Sequence, residues 1–312
     1  MTDILVMGEM LVEIMRDREN VQLYEEGMFR GPYPSGAPAI CIDTAARLGC
    51  KTAIIGGVGK DDFGKCLLER LKKDGVEVSH VIESEERSTG CAFVTYFDDG
   101  SRKFIFHMGN TPAVEARAPE PGEFETVKYM HIMGCSLMAN RDFAQEILKT
   151  MCLLSGDGTK ISFDPNIRKE LFTDDSIHAV IREVMDNTSI FLPGVEELLL
   201  ITGEASVEAA VKKCFENPVL EILVLKNGSR GSRIYTRDEV KEVGVYKVEQ
   251  LDATGAGDCF DGAFLAGLVQ GKSIEEAARM GAAAGALNAA AFGPMEGKIS
   301  PETVRQMMEA GM

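Results

Sequence analysis

Basic residues are in short supply. Lys and Arg total 33 against 49 Asp and Glu, a formal charge of −16 over 312 residues. A binder of phosphodiester backbones needs a basic face, so nucleic acid is excluded as the default partner. A phosphorylated substrate would have to be held by local donors and a metal. No C-x-x-C pair occurs among the eight cysteines at 41, 50, 66, 91, 135, 152, 214 and 259. Zinc-site and dithiol spacings are therefore absent. Most of these cysteines sit in apolar segments as small hydrophobes, which fits a reducing cytoplasm. No apolar run is long enough to span a bilayer, and no basic leader precedes the first strand. Neither membrane insertion nor export is expected, and the sequons at Asn187 and Asn227 read as chance matches. Repeats and low-complexity tracts are missing. A P-loop fails at Gly59-Lys60, because Asp61 stands where Ser or Thr is required. A dinucleotide fold fails at Gly8-Glu9-Met10, where G-x-G-x-x-G should follow the first strand.

What is present is a rhythm. The chain is long enough for one α/β domain with a small excursion, and 45% hydrophobic with 26% charged residues is ordinary for a globular protein. Residues 4–7 predict a buried first strand and 52–58 a second, with a helix at 37–48 between them and another over 62–73. From residue 129 onward, strands near 129–133, 160–163, 189–192 and 222–225 each end in polar or Gly-rich residues. Such alternation predicts a mostly parallel sheet with helices on both faces, binding ligands at the strand ends. Residues 16–33 are polar and alternate weakly. Residues 90–108 alternate well around Asp98-Asp99-Gly100, a hairpin signal. Together they predict a small sheet standing off the core. Phe104 and Phe106 are either ordinary hairpin packing or part of that cover. Glu13, where the chain leaves the core, is either a ligand carboxylate or a solvated acid. Small residues around Gly36 would let a polyol approach the backbone.

The chain is organised around Asp252-Ala253-Thr254-Gly255-Ala256-Gly257-Asp258-Cys259-Phe260. An extended polar run leads into it, and a small-residue helix over about 256–270 leaves it. Gly255 and Gly257 bracket Ala256, so the backbone can approach a ligand. First-turn amides without partners attract anions. Asp258 is odd among anion-binding amides. It is either a helix cap or the base for a hydroxyl attacking a phosphoryl group.

This run resembles the carboxyl-terminal signature of the ribokinase-like (PfkB) carbohydrate kinases. Gly56-Gly57-Val58-Gly59-Lys60-Asp61-Asp62-Phe63-Gly64 also resembles a pattern of that family. The resemblance spans nearly the whole chain. It implies one ribokinase-like kinase domain over residues 1–312, a three-layer α/β/α fold with a mostly parallel central sheet. A β lid would come from about 12–34 and 90–109. It further implies Asp258 as catalytic base, with Gly255, Ala256 and Gly257 as an anion hole for the transferred phosphate. Lys226, Gly228 and Gly231, with Gly255 and Gly257, fall where ATP is held. Glu13, Gly36, Phe104, Phe106 and Asp258 fall where the sugar is held. Glu197 would orient water on Mg²⁺. Asp252 and Thr254, with backbone near Gly293 and Gly297, resemble a K⁺ site. Arg168 in Asp164-Pro165-Asn166-Ile167-Arg168 matches the fructokinase and 2-keto-3-deoxygluconate kinase branch, and would neutralise phosphoryl charge.

Two departures stand out. Ile40 replaces the Asn of a Gly-Gly-x-x-x-Asn pattern, and Gly194 replaces the Asn of Asn-x-x-Glu. Glu197 could instead be a helix N-terminal acid. The reading is a cytoplasmic, ATP-dependent kinase for a ketose such as fructose or tagatose, acting on a primary hydroxyl. A sugar-acid kinase is the first alternative, then a ribokinase or nucleoside kinase. Pairing of lids into a homodimer, through exposed Phe104 or Phe106, is expected.

Overall fold

The computed structural model describes the backbone of residues 1–167 and 175–312. In chain order the elements are β1 (Thr2–Met7), β2 (Leu11–Arg16), β3 (Phe29–Ser35), α1 (Ala37–Arg47), β4 (Thr52–Gly59), α2 (Asp62–Asp74), β5 (Val76–Glu77), β6 (Val81–Ser84), β7 (Gly90–Tyr96) and β8 (Arg102–His107). There follow β9 (Val127–Met133), α3 (Gly134–Ala139), α4 (Arg141–Ser155), β10 (Lys160–Asp164), α5 (Asp175–Asn187), β11 (Thr188–Phe191), α6 (Val195–Thr202) and α7 (Val207–Cys214). The chain closes with β12 (Ile222–Lys226), β13 (Ser232–Tyr235), β14 (Val240–Val243), α8 (Ala256–Val269), α9 (Ile274–Ala289) and α10 (Pro301–Ala310).

Among the described residues, ten strands form one sheet in the order β14-β13-β12-β11-β10-β9-β1-β4-β5, with β6 also paired to β4. Pairing is parallel from β12 to β5. The edge strands β13 and β14 are antiparallel, and the sequence reading did not find them. Residues 246–251, read as extended, are not a strand. Strand β1 explains the layering. Ile4 and Val6 enter a core with residues of α1, α8 and α9, whereas Leu5 and Met7 enter a second core with residues of α4, α5 and α7. A strand buried on both faces alternates its side chains between two helical layers.

The lid is a separate four-stranded sheet, ordered β3-β2-β7-β8. Leu11, Ala92 and Met108 form a small buried apolar cluster under it. Strand β8 alternates, with Phe104 and Phe106 half-buried and stacked 5.2 Å apart, and Ile105 outward. Phe104 and Phe106 therefore face the cleft under the lid, half-buried where the sequence reading expected one of them exposed. Tyr24, Met28, Phe29 and Ile105 are apolar side chains exposed on the lid segments.

Candidate active site

Helix α8 begins at the ends of the central strands without a side-chain cap. Its N-cap is Gly255 at φ 77°, and a Cβ there would meet the Pro294 carbonyl at 2.4 Å. Both the left-handed backbone and the space therefore require glycine. Asp258 is the third helical residue, an acid in the first turn and not the N-cap residue itself. Of the expected anion hole, the Ala256 N–H turns back on the Ala253 carbonyl at 3.3 Å.

Asp258 is buried, and its Oδ1 accepts from Asn166 Nδ2 at 3.0 Å. Asn166 sits at φ 36°, a conformation that Asn tolerates better than most residues. Its own N–H donates to Asp164 Oδ1 at 3.1 Å. Asp164 Oδ2 and both oxygens of Asp261 accept from Lys226 Nζ at 2.9 to 3.1 Å. Lysine is rarely buried unless paired, and breaking such a buried pair costs about 3–5 kcal/mol. Burial and the nearby Asp164 charge push the Asp261 carboxyl well up, whereas the Lys226 ammonium holds Asp164 below the usual carboxylate range. Behind them His131 is fully buried, which pushes it down to about 4, with Nδ1 on Ser162 Oγ at 3.0 Å.

Two clefts meet at this helix start. The first, a cavity of about 260 Å³, is lined by Glu9, Glu13, Gly36, Phe104, Phe106 and Asp258, among others. Glu13 Oε1 accepts from Ser35 Oγ at 2.7 Å, and Ser136 Oγ donates to Glu9. Gly36 has φ 104°, and a Cβ there would strike the Glu9 carbonyl at 2.7 Å. The lid closes the mouth: Arg102 Nη1 and Tyr96 OH reach Thr254 Oγ1 at 3.0 and 2.9 Å. The second cleft, about 710 Å³, is walled by Gly228 and Gly231, by residues 244–248, and by Ala282, Gly285, Ala286 and Ala289 of α9. Lys226, Ala253 and Gly257 line both.

Glu197 stands at the third position of α6. Its oxygens accept from Gly194 N at 2.7 Å and Ile167 N at 2.8 Å, so it both caps that helix and faces the first cleft. Burial and the Asp164 charge raise its carboxyl above its ordinary range. Asp252 accepts from Thr254 N at 2.9 Å and Gly293 N at 3.1 Å. Asn288 Nδ2 donates to the Thr254 and Pro294 carbonyls at 2.8 and 3.1 Å, and its Oδ1 accepts from Gly297 N at 3.1 Å. The residues of the expected K⁺ site thus share one buried, hydrogen-bonded knot beside Gly255. Arg168 lies outside the described residues. The sequence reading missed Glu9, Asn166, Asp164, Asp261 and Arg102 as site residues. An Asp inside the apolar stretch Cys259 to Ala263 was a signal for Asp261.

Fold and site together define an α/β protein in which a carboxylate- and aromatic-lined cleft and a glycine- and alanine-lined cleft meet at one helix N-terminus. The comparisons specify it further. The family model for pfkB carbohydrate kinases matches residues 1–300, and the chain belongs to that family. Rice (Oryza sativa subsp. japonica) Fructokinase-1 is 32% identical over 314 residues, covering 97% of this chain and 96% of that protein. An E. coli protein provisionally named ribokinase II, in its apo form, has a TM-score of 0.95 at 35% identity, covering 99% of this chain and 100% of that one. Its complex with ATP and Mg²⁺ has a TM-score of 0.94 at 34% identity, with the same coverage. The chain is thus a carbohydrate kinase of ribokinase-like fold. Among the described residues no helix is long and apolar enough to cross a membrane.

Proposed function

We propose that the protein transfers the γ-phosphoryl group of ATP to a primary hydroxyl of a ketose of the fructose or tagatose type, with Asp258 as general base. The observation that carries this reading is Asp258 itself: a buried carboxylate lining the sugar cleft, one residue from Gly257, which lines both clefts. The sugar oxygen attacks the γ-phosphorus as the bond to the β-phosphate oxygen breaks, ADP leaves, and the hydroxyl proton passes to Asp258. Glycine-opened backbone at residues 255–257 accommodates the transferred phosphate. Glu13 accepts hydrogen bonds from neighbouring sugar hydroxyls, which suits a polyol. The small-residue wall of α9 suits a flat purine, and the ATP and Mg²⁺ held by the E. coli relative support ATP as donor.

Bound Mg²⁺ would supply neutralisation of the charge that develops on the phosphoryl group. Glu197 would hold it through water, in keeping with a cation that is bound by few carboxylates plus substrate phosphates. The knot of Asp252, Thr254, Gly293 and Gly297 is our candidate for K⁺. We read residues 1–312 as one kinase domain in a reducing cytoplasm, pairing through its lid into a homodimer.

ATP consumption measured against ketoses, sugar acids, ribose and nucleosides tests the reading. Fructose or tagatose is expected to give the highest kcat/KM. A 2-keto-3-deoxy sugar acid is the second reading, favoured by the Arg102 guanidinium at the cleft. Far higher kcat/KM for the acid than for every neutral ketose would reverse this order, and turnover of nucleosides alone would remove the branch assignment.

A further inference from the structure

We propose that Lys226, Asp164 and Asp261 act together as positioning residues, holding the first two turns of α8 against the ends of β10 and β12. Asp258 and the amides of residues 255–257 would be held with them. The inference rests on the kinase reading for its catalytic consequence and on geometry for the rest. Asp258 and Asp261 are three residues apart on one helix, so they share a face. That face is tied down twice. Asp258 Oδ1 meets Asn166 Nδ2 at 3.0 Å, and Asp261 meets Lys226 Nζ at 2.9 and 3.1 Å. The two ties are closed into a ring, because Asp164 bonds both Lys226 Nζ at 2.9 Å and the Asn166 N–H at 3.1 Å. The ring runs from Asp258 to Asn166, Asp164, Lys226 and Asp261, then back through one turn of helix. Its carboxylate end is sealed, with Asp261 fully buried and Asp164 3% exposed, whereas Lys226 and Asn166 reach the clefts.

The charge balance sharpens the assignment. Lys226 alone cannot neutralise two buried carboxylates. One proton on Asp261 makes the three groups neutral and leaves Asp164 ionised between the ammonium and the Asn166 amide. The groups facing Asp261 agree. Burial and the Asp164 charge disfavour its ionised form, and its partner Lys226 is the cation opposing them. Glu197 and the neutral His131 lie around the same ring, and Cys41 of α1 faces Asp261 with its thiol pushed up by burial. The two aspartates, chemically identical, then have different duties. Asp261, whose two oxygens both face Lys226 Nζ, is replaceable by an amide that keeps one acceptor there, whereas Asp164 accepts from two different donors and carries the charge. Lys226 is engaged by carboxylates, which separates its role from that of a phosphate ligand.

The test compares Asp261→Asn, Asp164→Asn and Lys226→Met by thermal unfolding, with kcat and KM for both substrates. Asp261→Asn is expected to unfold within about 2 °C of the unsubstituted protein and to keep kcat within about threefold, since only a proton-bearing oxygen is exchanged. Lys226→Met should lower Tm by at least about 5 °C, because it leaves a buried carboxylate without its cation, and Asp164→Asn should do the same, because either orientation of the amide sets its NH2 against a donor, Lys226 Nζ or the Asn166 N–H. Both should lower kcat about 100-fold through misplacement of Asp258, with KM for ATP within about threefold. Damage from Asp261→Asn equal to that from Asp164→Asn overturns the charge assignment. A loss in Lys226→Met that appears in KM for ATP makes Lys226 a phosphate ligand and overturns the anchor. Should either charged-partner variant fail to fold, Asp261→Asn against Asp261→Leu carries the test: amide tolerated, isobutyl group not. If the unsubstituted protein phosphorylates no sugar, the kinase reading fails while the Tm pattern still decides the anchor.

Discussion

The two clefts that meet at α8 are built differently. The sugar side is made by long side chains from many elements: Glu9 and Glu13 beside β2, Arg102, Phe104 and Phe106 on β8, and Asp258 on α8. The nucleotide side is made largely by backbone and by residues with little or no side chain, such as Gly228, Ala282, Gly285, Ala286 and Ala289. A wall without side chains accepts a flat ring and phosphates by shape, so one donor suffices for many acceptors. A wall of carboxylates, guanidinium and aromatics under a thin lid discriminates among hydroxyl patterns. Specificity is therefore expected to respond to substitutions on one side only, with chemistry concentrated at the seam.

The seam gives the largest effects. Asp258→Asn keeps the shape and the Asn166 contact but cannot take the proton. It should lower kcat by about 10² to 10⁴, with KM for sugar and ATP little changed. Wild-type turnover in this variant would remove the base assignment. Gly255→Ala follows. A Cβ there meets the Pro294 carbonyl at 2.4 Å on a left-handed backbone, so the loop must shift. A loss of about 100-fold in kcat for every acceptor is expected from such misplacement. An acceptor-dependent loss would move Gly255 from the seam to the sugar side.

The start of α8 was the readable part of the chain. Gly255, Gly257 and Asp258 lie within four residues, so local spacing carries the information. The central parallel strands were equally readable, because residues such as Ile4 to Met7 are apolar on both faces. Strands β13 and β14 were missed because their short, partly exposed segments, Ser232–Tyr235 and Val240–Val243, carry polar residues and no strong periodicity. Arg102 was missed for another reason. Its contact with Thr254 joins positions 152 residues apart, and only the fold of the lid over α8 brings them together. The pairing of Lys226 with Asp164 and Asp261 is equally non-local.

On the sugar side, Glu13→Gln should reduce kcat/KM for the sugar about 10- to 100-fold, the worth of a hydrogen bond to a charged group, and leave KM for ATP alone. Steady-state kinetics with each substrate varied in turn check it. On the nucleotide side, Gly285→Val should do the reverse. A Cβ at Gly285 already meets the Ala256 carbonyl at 2.9 Å, so two more methyl groups both fill the slot and press on the start of α8. An increase of about tenfold in KM for ATP is expected from overpacking of this kind, with KM for the sugar unchanged. Equal changes in both constants would show the two clefts to be mechanically one.

The smallest effect falls at the lid, and its size discriminates between the two substrate readings. Arg102 is exposed, lies 5.9 Å from the Phe104 ring centroid, and donates to Thr254 Oγ1 at 3.0 Å. Tyr96 OH holds the same hydroxyl at 2.9 Å, so Thr254 keeps a lid contact when the guanidinium is removed. For a neutral ketose, Arg102→Ala then costs one exposed polar contact and part of a cation–π contact. Exposed contacts of this type are worth about 0–1 kcal/mol, so kcat/KM should fall less than about fivefold. For a sugar acid the guanidinium would instead meet a carboxylate inside the cleft, and a charge-assisted bond there is worth about 1.5–3 kcal/mol. The loss would then exceed about tenfold and fall on the acid alone. Arg102→Lys adds a second reading of the same contact. It keeps the charge and loses the two-pronged geometry that a carboxylate prefers, so a sugar acid would feel it and a ketose would not. A loss below fivefold for fructose in both variants keeps the ketose first, and a selective loss for the acid exchanges the two.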